Sequence, residues 1–181
     1  MPSVSPSMFG TILHRSNYST VYQGTWRNQD VIIKCVPRSN IKAEFYALNE
    51  CDILKKLATK FPKEYNGFMH LLHEYQLDAF HVMILQKGGQ DLFDFYIKIP
   101  DISQRVPLLQ KHIYHALKII SELHEMGMTH NDVKPENLVM ISNKDEEVAF
   151  IDFGFSLEVD AQSECHVNVP QKSCILDNDV F

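Results

Sequence analysis

A four-residue linker, KGGQ at 87–90, separates two stretches of the chain whose hydrophobic patterns differ. Before it, segments rich in β-branched and aromatic residues alternate with turn residues, which predicts five strands interrupted by one helix at 40–59. After it, apolar residues recur at helical spacing. The sequence therefore predicts an α+β protein with two lobes and a cleft at the linker, with 1–86 as the β-rich lobe, 87–90 as the hinge and 91–181 as the helical lobe.

The helical part contains two predicted helices. A short helix begins near Asp91, and a long one spans 106–126, with Pro107 in its first turn and Gly127 ending it. The apolar stripe that should face the core of the long helix consists of Val106, Leu109, Ile113, Leu117, Ile120 and Leu123.

The composition of the 181 residues is typical of a globular protein, with 45% apolar and 22% charged residues. The chain lacks both a signal-peptide pattern at its start and an apolar run long enough to span a membrane, so we expect no membrane partner. A net charge of −6 argues against a nucleic-acid partner. The spacing of the four cysteines does not suggest disulfide pairs, which predicts a reducing compartment, the cytoplasm or the nucleus. The four are Cys35, Cys51, Cys165 and Cys174.

A polar stretch, HNDVKPEN, follows the long helix, and Asp152 comes fifteen residues after its last member, Asn137. Oxygen ligands from Asn137 and Asp152 suit a hard cation such as Mg²⁺. Asp132 is then free to accept a proton from an attacking hydroxyl. Lys134 can neutralise a phosphate oxygen as a point charge. The alternative is a polar loop whose Asp and Asn side chains cap nearby backbone groups.

These motifs resemble those of the eukaryotic-type protein kinase family. HNDVKPEN is similar to the family's catalytic loop, and DFG at 152–154 is similar to its metal-binding triplet. Upstream, VIIK resembles the strand that carries the ATP-positioning lysine, here Lys34, and NECDILKKL resembles the helix that carries its ion-pair partner, Glu50. Glu44 is the rival for that partner. Glu50 is preferred because apolar residues that fit a packing face follow it, namely Ile53, Leu54 and Leu57.

The resemblance covers roughly residues 9–160 and implies a protein kinase fold that uses ATP and Mg²⁺. Lys34 would hold the α- and β-phosphates and would be oriented by Glu50. Asp132 would accept the proton of a Ser or Thr hydroxyl on a protein substrate, and Lys134 would contact the transferred phosphoryl group. The implied metal ligands are Asn137 and Asp152.

The resemblance also implies an adenine slot lined by Val21, Ile32, Leu85, Gln86, Lys87 and Val139. Leu85 would be the gatekeeper, and Gln86 and Lys87 would offer backbone groups to the base. Val21 and Val139 would be the ceiling and floor of the slot. For the apolar members, ordinary core packing is the alternative.

An internal stack is implied as well, formed by Leu54, His130 and Phe153. His130 is therefore predicted to be a packed histidine rather than a base.

The sequence departs from the family pattern at the phosphate-covering loop. In LHRSNYSTVYQG, three residues occupy the family's glycine positions: His14, Ser16 and Ser19. The backbone therefore has less freedom to approach phosphates, although the serine hydroxyls can still donate hydrogen bonds. Ile32 stands where the family usually has Ala, which crowds the slot. Asn131 replaces an Arg that clamps a phosphorylated activation loop, so we expect activity to be independent of such phosphorylation.

The last departure concerns the segment after Gly154, which has 27 residues and no clear A-P-E motif. The family's later helices would cover the long helix, so we expect either a fragment or isoform, or a partner protein that covers this surface. The leading prediction is a Ser/Thr protein kinase that uses ATP and Mg²⁺. The alternatives are a catalytically weak kinase-like binding module and a small-molecule phosphotransferase.

Overall fold

The computed structural model describes residues 4–61, 67–141 and 144–159, with only the backbone described at 144–146. In that part of the chain the strands are β1 Phe9–Arg15, β2 Thr20–Trp26, β3 Gln29–Pro37, β4 Leu71–Gln76, β5 Phe80–Gln86, β6 Met128–Thr129, β7 Leu138–Ile141, β8 Lys144–Phe150 and β9 Leu157–Glu158. The helices are α1 Ile41–Lys60, α2 Leu92–Ile97 and α3 Ile102–Glu125.

The first five strands form one antiparallel sheet in the order β1-β2-β3-β5-β4, which confirms the predicted five-stranded half. Side chains alternate between the faces of a strand, so the strand register decides which residues lie together. Ile32 pairs with Leu85, and Lys34 pairs with Val21 and with Met83. The sheet therefore presents one face to the cleft and to α1.

Helix α1 lies between this sheet and the helical half of the chain. It begins after Asn40, whose side chain accepts a hydrogen bond from the Ala43 amide at 3.1 Å. Its first half packs Ala43 and Ala47 against the sheet. Its second half contributes to a core shared with α3 and the segment around Phe153; the α1 members of that core are Ile53, Leu54 and Leu57.

The linker is held close to β7. The Gly89 amide donates to the Met140 carbonyl at 2.8 Å. A Cβ added to Gly88 would lie 2.6 Å from the Val139 side chain, and one added to Gly89 would lie 2.8 Å from the Met140 carbonyl oxygen. Two glycines are thus needed because the backbone approaches β7 too closely for side chains.

The strands before this linker and the helices after it confirm the predicted α+β arrangement with two lobes.

Helix α3 differs from the prediction at its start. It begins at Ile102 rather than at Val106, since Asp101 caps it by accepting from the Ser103 amide at 2.8 Å. Pro107 is consequently inside the helix and not in its first turn, which corrects that prediction. Gly127 ends the helix with φ of +69°, as expected.

The predicted apolar stripe of α3 is only partly buried. Leu123 is buried, but Val106, Leu109, Ile113 and Leu117 are 39–58% exposed. The buried face is instead rotated towards α2 and β8, and consists of His112, Ala116, Ile119 and Leu123. The stripe prediction holds for Leu123 and for the partly buried Ile120, which pack on the core. It was wrong for the four exposed residues because the contacts that α3 makes with α2 and β8 decide its buried side, and His112 gains a 2.7 Å hydrogen bond with the Tyr96 hydroxyl there.

Two short antiparallel ladders, β6-β9 and β7-β8, carry the polar motifs between them. The HNDVKPEN loop runs from β6 to β7, and the DFG segment runs from β8 to β9. Both motifs are therefore fixed at each end by strand pairing. The segment after Gly154, which has no clear A-P-E motif, lies from residue 160 onwards outside the described residues, and so do Cys165 and Cys174.

Candidate active site

A half-buried lysine joins three elements at the cleft. Lys34 on β3 donates from Nζ to Glu50 Oε2 on α1 at 2.7 Å and to Asp152 Oδ1 at 3.0 Å. The Glu50 side chain is 2% exposed, whereas that of Asp152 is 40% exposed. One cation is thus shared by a buried carboxylate that orients it and a carboxylate that faces the cleft.

The structure distinguishes between the two candidate partners of Lys34. Glu44, one turn and a half earlier on α1, accepts from Arg38 Nε at 2.6 Å near the end of β3. Glu50 is the residue that α1 places over Lys34, with Leu54 and Leu57 buried beyond it. The catalytic roles of Lys34 and Glu50 stay predictions, but their pairing is a feature of the structure.

The charges of this trio depend on one another. Burial would lower the pKa of Lys34, but the carboxylates of Glu50 and Asp152 outweigh it and raise that pKa above its usual value. Burial raises the pKa of Glu50, and the Lys34 ammonium opposes that rise. Burial would also raise the pKa of Asp152, but the nearby Lys34 charge holds it below its usual value. Asp152 is therefore ionised at neutral pH and available to a cation.

The second group of predicted residues lies on the loop between β6 and β7. Asp132 Oδ2 accepts from Lys134 Nζ at 2.8 Å and from Asn137 Nδ2 at 2.7 Å. Asn137 also donates to the Asp132 carbonyl at 2.9 Å, so its amide nitrogen is committed to the loop. These bonds engage one carboxylate oxygen of Asp132 and leave Oδ1 as the one that a hydroxyl could approach.

Two non-glycine residues with left-handed backbone shape the site. Asn131 has φ of 63° and Asp152 has φ of 62°. Asn131 donates from Nδ2 to the Phe155 carbonyl at 3.1 Å, which ties the HNDVKPEN loop to the DFG segment. At Asp152 the carboxylate reaches Lys34 while the next side chain, Phe153, is buried. Such conformations are uncommon, and they persist here because contacts on both sides hold them.

His130 is a packed residue, as the sequence indicates. It is buried against Phe150 and Phe153, with ring centroids 4.8 and 4.7 Å away. Its Nδ1 accepts from the Asp132 amide at 3.3 Å, so Nε2 carries the proton and donates to the Ile151 carbonyl at 3.1 Å. Burial lowers its pKa, with the Ile151 carbonyl opposing the shift. The neutral ring positions the start of the loop.

Stability should fall as the pH drops below neutrality because of this histidine. Unfolded His has a pKa of about 6.5, so below that pH the unfolded chain binds a proton that buried His130 does not. In His130→Gln, the free energy of unfolding should fall less steeply with decreasing pH, by up to about 1.4 kcal/mol per pH unit. Urea unfolding between about pH 7 and about pH 5.5 measures it, with the exposed His14→Gln as control. Equal pH slopes in the two variants would contradict the prediction.

Asn49 is a site residue that sequence reasoning missed. Its Nδ2 donates to the Gly154 carbonyl at 3.0 Å and to the Ser156 carbonyl at 2.9 Å. It therefore fixes the segment after Asp152 to α1, beside Glu50. Local sequence carries no signal for it, because an Asn within a helix is ordinarily a solvent-facing residue and its partners are more than a hundred positions away.

The oxygen donors at the cleft fit a magnesium site. Asp152 offers a half-exposed, ionised carboxylate, and Asn137 is buried with its amide nitrogen engaged, which leaves its amide oxygen as the donor for an ion. Mg²⁺ takes few protein ligands, all oxygen, and completes its shell with water and phosphate oxygens. Asn137 and Asp152 stay the predicted ligands, and their donor chemistry suits that ion.

The predicted adenine-slot residues fall into two groups. Strand register places Val21, Ile32 and Leu85 on the sheet face that also carries Lys34. Val139 is buried beneath the linker, against the position of Gly88. The roles of Val21 and Val139 as ceiling and floor of an adenine slot stay predictions.

Gln86, at the end of β5, and Lys87, in the linker, are the residues predicted to offer backbone groups to a base. The Gln86 amide donates to the His70 carbonyl at 2.8 Å, which removes it from the donors open to a ligand. The Lys87 side chain forms an ion pair with Asp30 at 3.1 Å.

The turn between β1 and β2 is closed by a serine hydroxyl. Ser16 Oγ accepts from the amides of Tyr18 and Ser19, each at 3.2 Å, and Asn40 donates to the Asn17 carbonyl at 3.2 Å. Ser16 Oγ also donates to the Ser19 carbonyl at 3.4 Å, so the expectation that this hydroxyl donates to a ligand is corrected, because its hydrogen is used inside the turn. Its two amide partners are turned inwards as well.

Comparison with known proteins decides the family. The sequence model described as Protein kinase domain matches residues 10–174. The chain belongs to the protein kinase domain family. The kinase fold predicted from HNDVKPEN and DFG is thereby confirmed, and the five-stranded sheet with α1 corresponds to a kinase's smaller lobe.

Among curated proteins, the chain is 31% identical over 156 residues to a probable serine/threonine-protein kinase, FMP48, of Saccharomyces cerevisiae. It is 28% identical over 116 residues to mitogen-activated protein kinase 12 of Mus musculus, and 24% identical over 159 residues to the calcium/calmodulin-dependent protein kinase cmkA of Emericella nidulans. The alignments cover 81%, 58% and 86% of this chain, but only 41%, 31% and 36% of the relatives. The chain thus spans well under half the length of these kinases.

Proposed function

We propose that this protein transfers the γ-phosphoryl group of ATP to a Ser or Thr hydroxyl of a protein substrate. The observation that carries the proposal is the Lys34 ammonium shared by Glu50 and Asp152. A charge fixed in this way would bind the α- and β-phosphates without reorganising when the nucleotide arrives. The names of the relatives, which include a serine/threonine kinase, support the substrate class.

The loop residues have complementary roles in this proposal. Asp132 orients the substrate hydroxyl through Oδ1 and accepts its proton, while Asn137 and Lys134 hold Oδ2. Lys134 is half-exposed, so its ammonium can turn from Asp132 towards the transferred phosphoryl group. Bound Mg²⁺ would neutralise phosphate charge, with Asn137 and Asp152 as its protein ligands.

A phosphorylation assay tests the proposal directly. Purified protein is incubated with labelled ATP, MgCl₂ and a generic protein substrate, beside Lys34→Met and Asp152→Ala. We expect incorporation by the wild type only, on Ser and Thr in phosphoamino-acid analysis. Equal incorporation by all three proteins would reject the kinase activity, and label on a small molecule alone would point to a small-molecule phosphotransferase.

A second candidate function is a kinase-like binding module with weak catalysis. The specific observation in its favour is the β1-β2 turn, in which Ser16 holds the Tyr18 and Ser19 amides away from the cleft. A turn with glycine could present such amides to phosphate oxygens. Measuring nucleotide binding separately from phosphoryl transfer distinguishes the two functions. A binding module would not transfer the phosphoryl group, and replacing Asp132 would not change what it does.

Replacing Ser16 by glycine should tighten nucleotide binding. The change releases the Tyr18 and Ser19 amides, and one new amide–phosphate hydrogen bond of about 1 kcal/mol corresponds to roughly fivefold in affinity. Calorimetric titration with ATP and Mg²⁺ measures the change, and Ser39→Gly in an exposed turn is the matched control. Unchanged or weaker binding by Ser16→Gly would show that the closed turn does not limit affinity.

We also propose a protein partner on the exposed side of α3. The support is the exposure there of Val106, Leu109, Ile113 and Leu117 among the described residues.

Among the described helices, none is long and apolar enough to cross a membrane. The free thiols of Cys35 and Cys51 support the proposed cytoplasmic or nuclear location.

A further inference from the structure

Three residues whose side chains can bind a metal meet between α1 and strands β4 and β5, away from the nucleotide cleft. Cys51 lies on α1, Glu74 on β4 and His81 on β5, and one ligand atom of each lies within 4.8 Å of the others. None of them belongs to the proposed catalytic group. They lie at the interface that fixes α1 on the sheet, where the surrounding contacts are the apolar ones of Ala47 and Met83.

Strand register explains why these residues meet. Glu74 pairs with Met83, and Gln76 pairs with His81, so alternation places Glu74 and His81 on one face. Met83 packs against Cys51 and Ala47 on that same face, beneath α1. The three ligand atoms therefore converge from a helix and two neighbouring strands, each of which is rigid.

The separations of the ligand atoms match a tetrahedral metal site. Cys51 Sγ lies 3.5 Å from His81 Nε2, and that same nitrogen lies 3.6 Å from Glu74 Oε2. With zinc bonds of about 2.3 Å to sulfur and about 2.0 Å to nitrogen or oxygen, tetrahedral angles give about 3.5 Å for S···N and about 3.3 Å for N···O. The Cys51 Sγ and the Glu74 carboxylate lie within 4.8 Å of each other, and in a tetrahedral site they would be about 3.5 Å apart.

We propose that Cys51, Glu74 and His81 bind a zinc-type transition-metal ion that fastens α1 to the sheet. The thiol releases its proton to solvent on binding, so the thiolate and the Glu74 carboxylate balance a divalent ion while His81 binds as neutral imidazole. Glu74 coordinates through Oε2, because its other oxygen accepts from Lys55 at 2.6 Å. That outer contact orients the carboxylate. A water completes the fourth position.

The burial of the three residues is consistent with this site. Cys51 and His81 are each 1% exposed, while the Glu74 side chain is 28% exposed and gives an ion access from solvent. Burial lowers the pKa of His81, which favours the neutral ring that binds metals. Burial, together with the Glu74 charge, raises the pKa of the Cys51 thiol, so a bound ion must displace that proton. Cys51 follows Glu50 directly, so a metal bound here would restrain the turn of α1 that pairs with Lys34. The proposal depends on none of the catalytic roles.

Cobalt spectroscopy on the reduced, chelator-treated protein tests the site. Co²⁺ bound by a thiolate gives a near-ultraviolet charge-transfer band, and Zn²⁺ should displace it with one equivalent. We expect the band in the wild type and in Cys35→Ser, whose thiol lies on β3 and is not part of the cluster. We expect its loss, with affinity at least about tenfold weaker, in Cys51→Ser and His81→Gln.

A single-thiol variant makes the test independent of whether Cys51→Ser folds. Cys35, Cys165 and Cys174 are changed together to serine, so that Cys51 is the one cysteine left in the sequence. A retained band with one Zn²⁺ equivalent supports the site. No band in this variant, or a band in Cys51→Ser equal to that of the wild type, overturns it and leaves a hydrogen-bonded Cys–His–Glu cluster.

Discussion

Replacing Asp132 by asparagine should lower phosphoryl transfer to a protein substrate by at least about a hundredfold, the usual contribution of a general base. Asn137 and Lys134 donate to Oδ2 of Asp132, so the asparagine will direct its carbonyl oxygen towards them. Its amide NH₂ then occupies the position of Oδ1. That group cannot accept the hydroxyl proton, while nucleotide contacts around Lys34 are unaffected.

Single-turnover transfer and nucleotide-dependent thermal stabilisation should be measured on the same preparations. Asp94→Asn, an exposed change of the same chemistry on α2, is the control and should behave as the wild type. We expect Asp132→Asn to retain stabilisation by ATP with Mg²⁺ and to lose transfer. Transfer within a few-fold of the wild type would exclude Asp132 as the base.

Removing the charge of Glu50 should cost about 3 kcal/mol of the free energy of unfolding, the lower end of what breaking a buried ion pair costs. Glu50→Gln leaves the Lys34 ammonium, which is 17% exposed, with Asp152 as its remaining carboxylate partner. Phosphoryl transfer should fall too, because Lys34 loses the residue that orients it against the sheet.

Glu44→Gln is the matched control, since Glu44 lies on the same helix and was the rival partner. Its ion pair with Arg38 is exposed, so the cost should stay below about 1 kcal/mol. Urea unfolding compares the two variants. A larger loss in Glu44→Gln than in Glu50→Gln would reverse the assignment. The double variant Lys34→Met, Glu50→Gln should lose less unfolding free energy than the two single variants lose together. Such a difference would show that the two residues are coupled.

Much of the fold could be predicted because the periodicity of this chain changes sharply at the linker. The five strands and α1 have clear patterns, and Asn40 and Gly127 mark helix ends with side-chain and backbone chemistry that is local. The face of α3 could not be predicted, because that helix carries apolar residues around much of its circumference. Which of them are buried depends on where α2 and β8 lie against it.

The turn between β1 and β2 shows a similar limit. The absence of glycine there could be read from the sequence, and so could the hydroxyl of Ser16. Whether that hydroxyl faces a ligand or the turn's own amides depends on how tightly the hairpin closes. The bonds inside the turn form because two amides lie within reach of one short side chain.

The sequence by itself determined the family of this protein and the order of its polar motifs along the chain. HNDVKPEN, DFG and the upstream lysine are short motifs whose residue types and spacing carry their meaning locally. Only the tertiary structure decided between Glu50 and Glu44, revealed Asn49 and brought Cys51 to Glu74 and His81. Those contacts join residues that are neighbours through strand register and helix placement, which local sequence patterns do not encode.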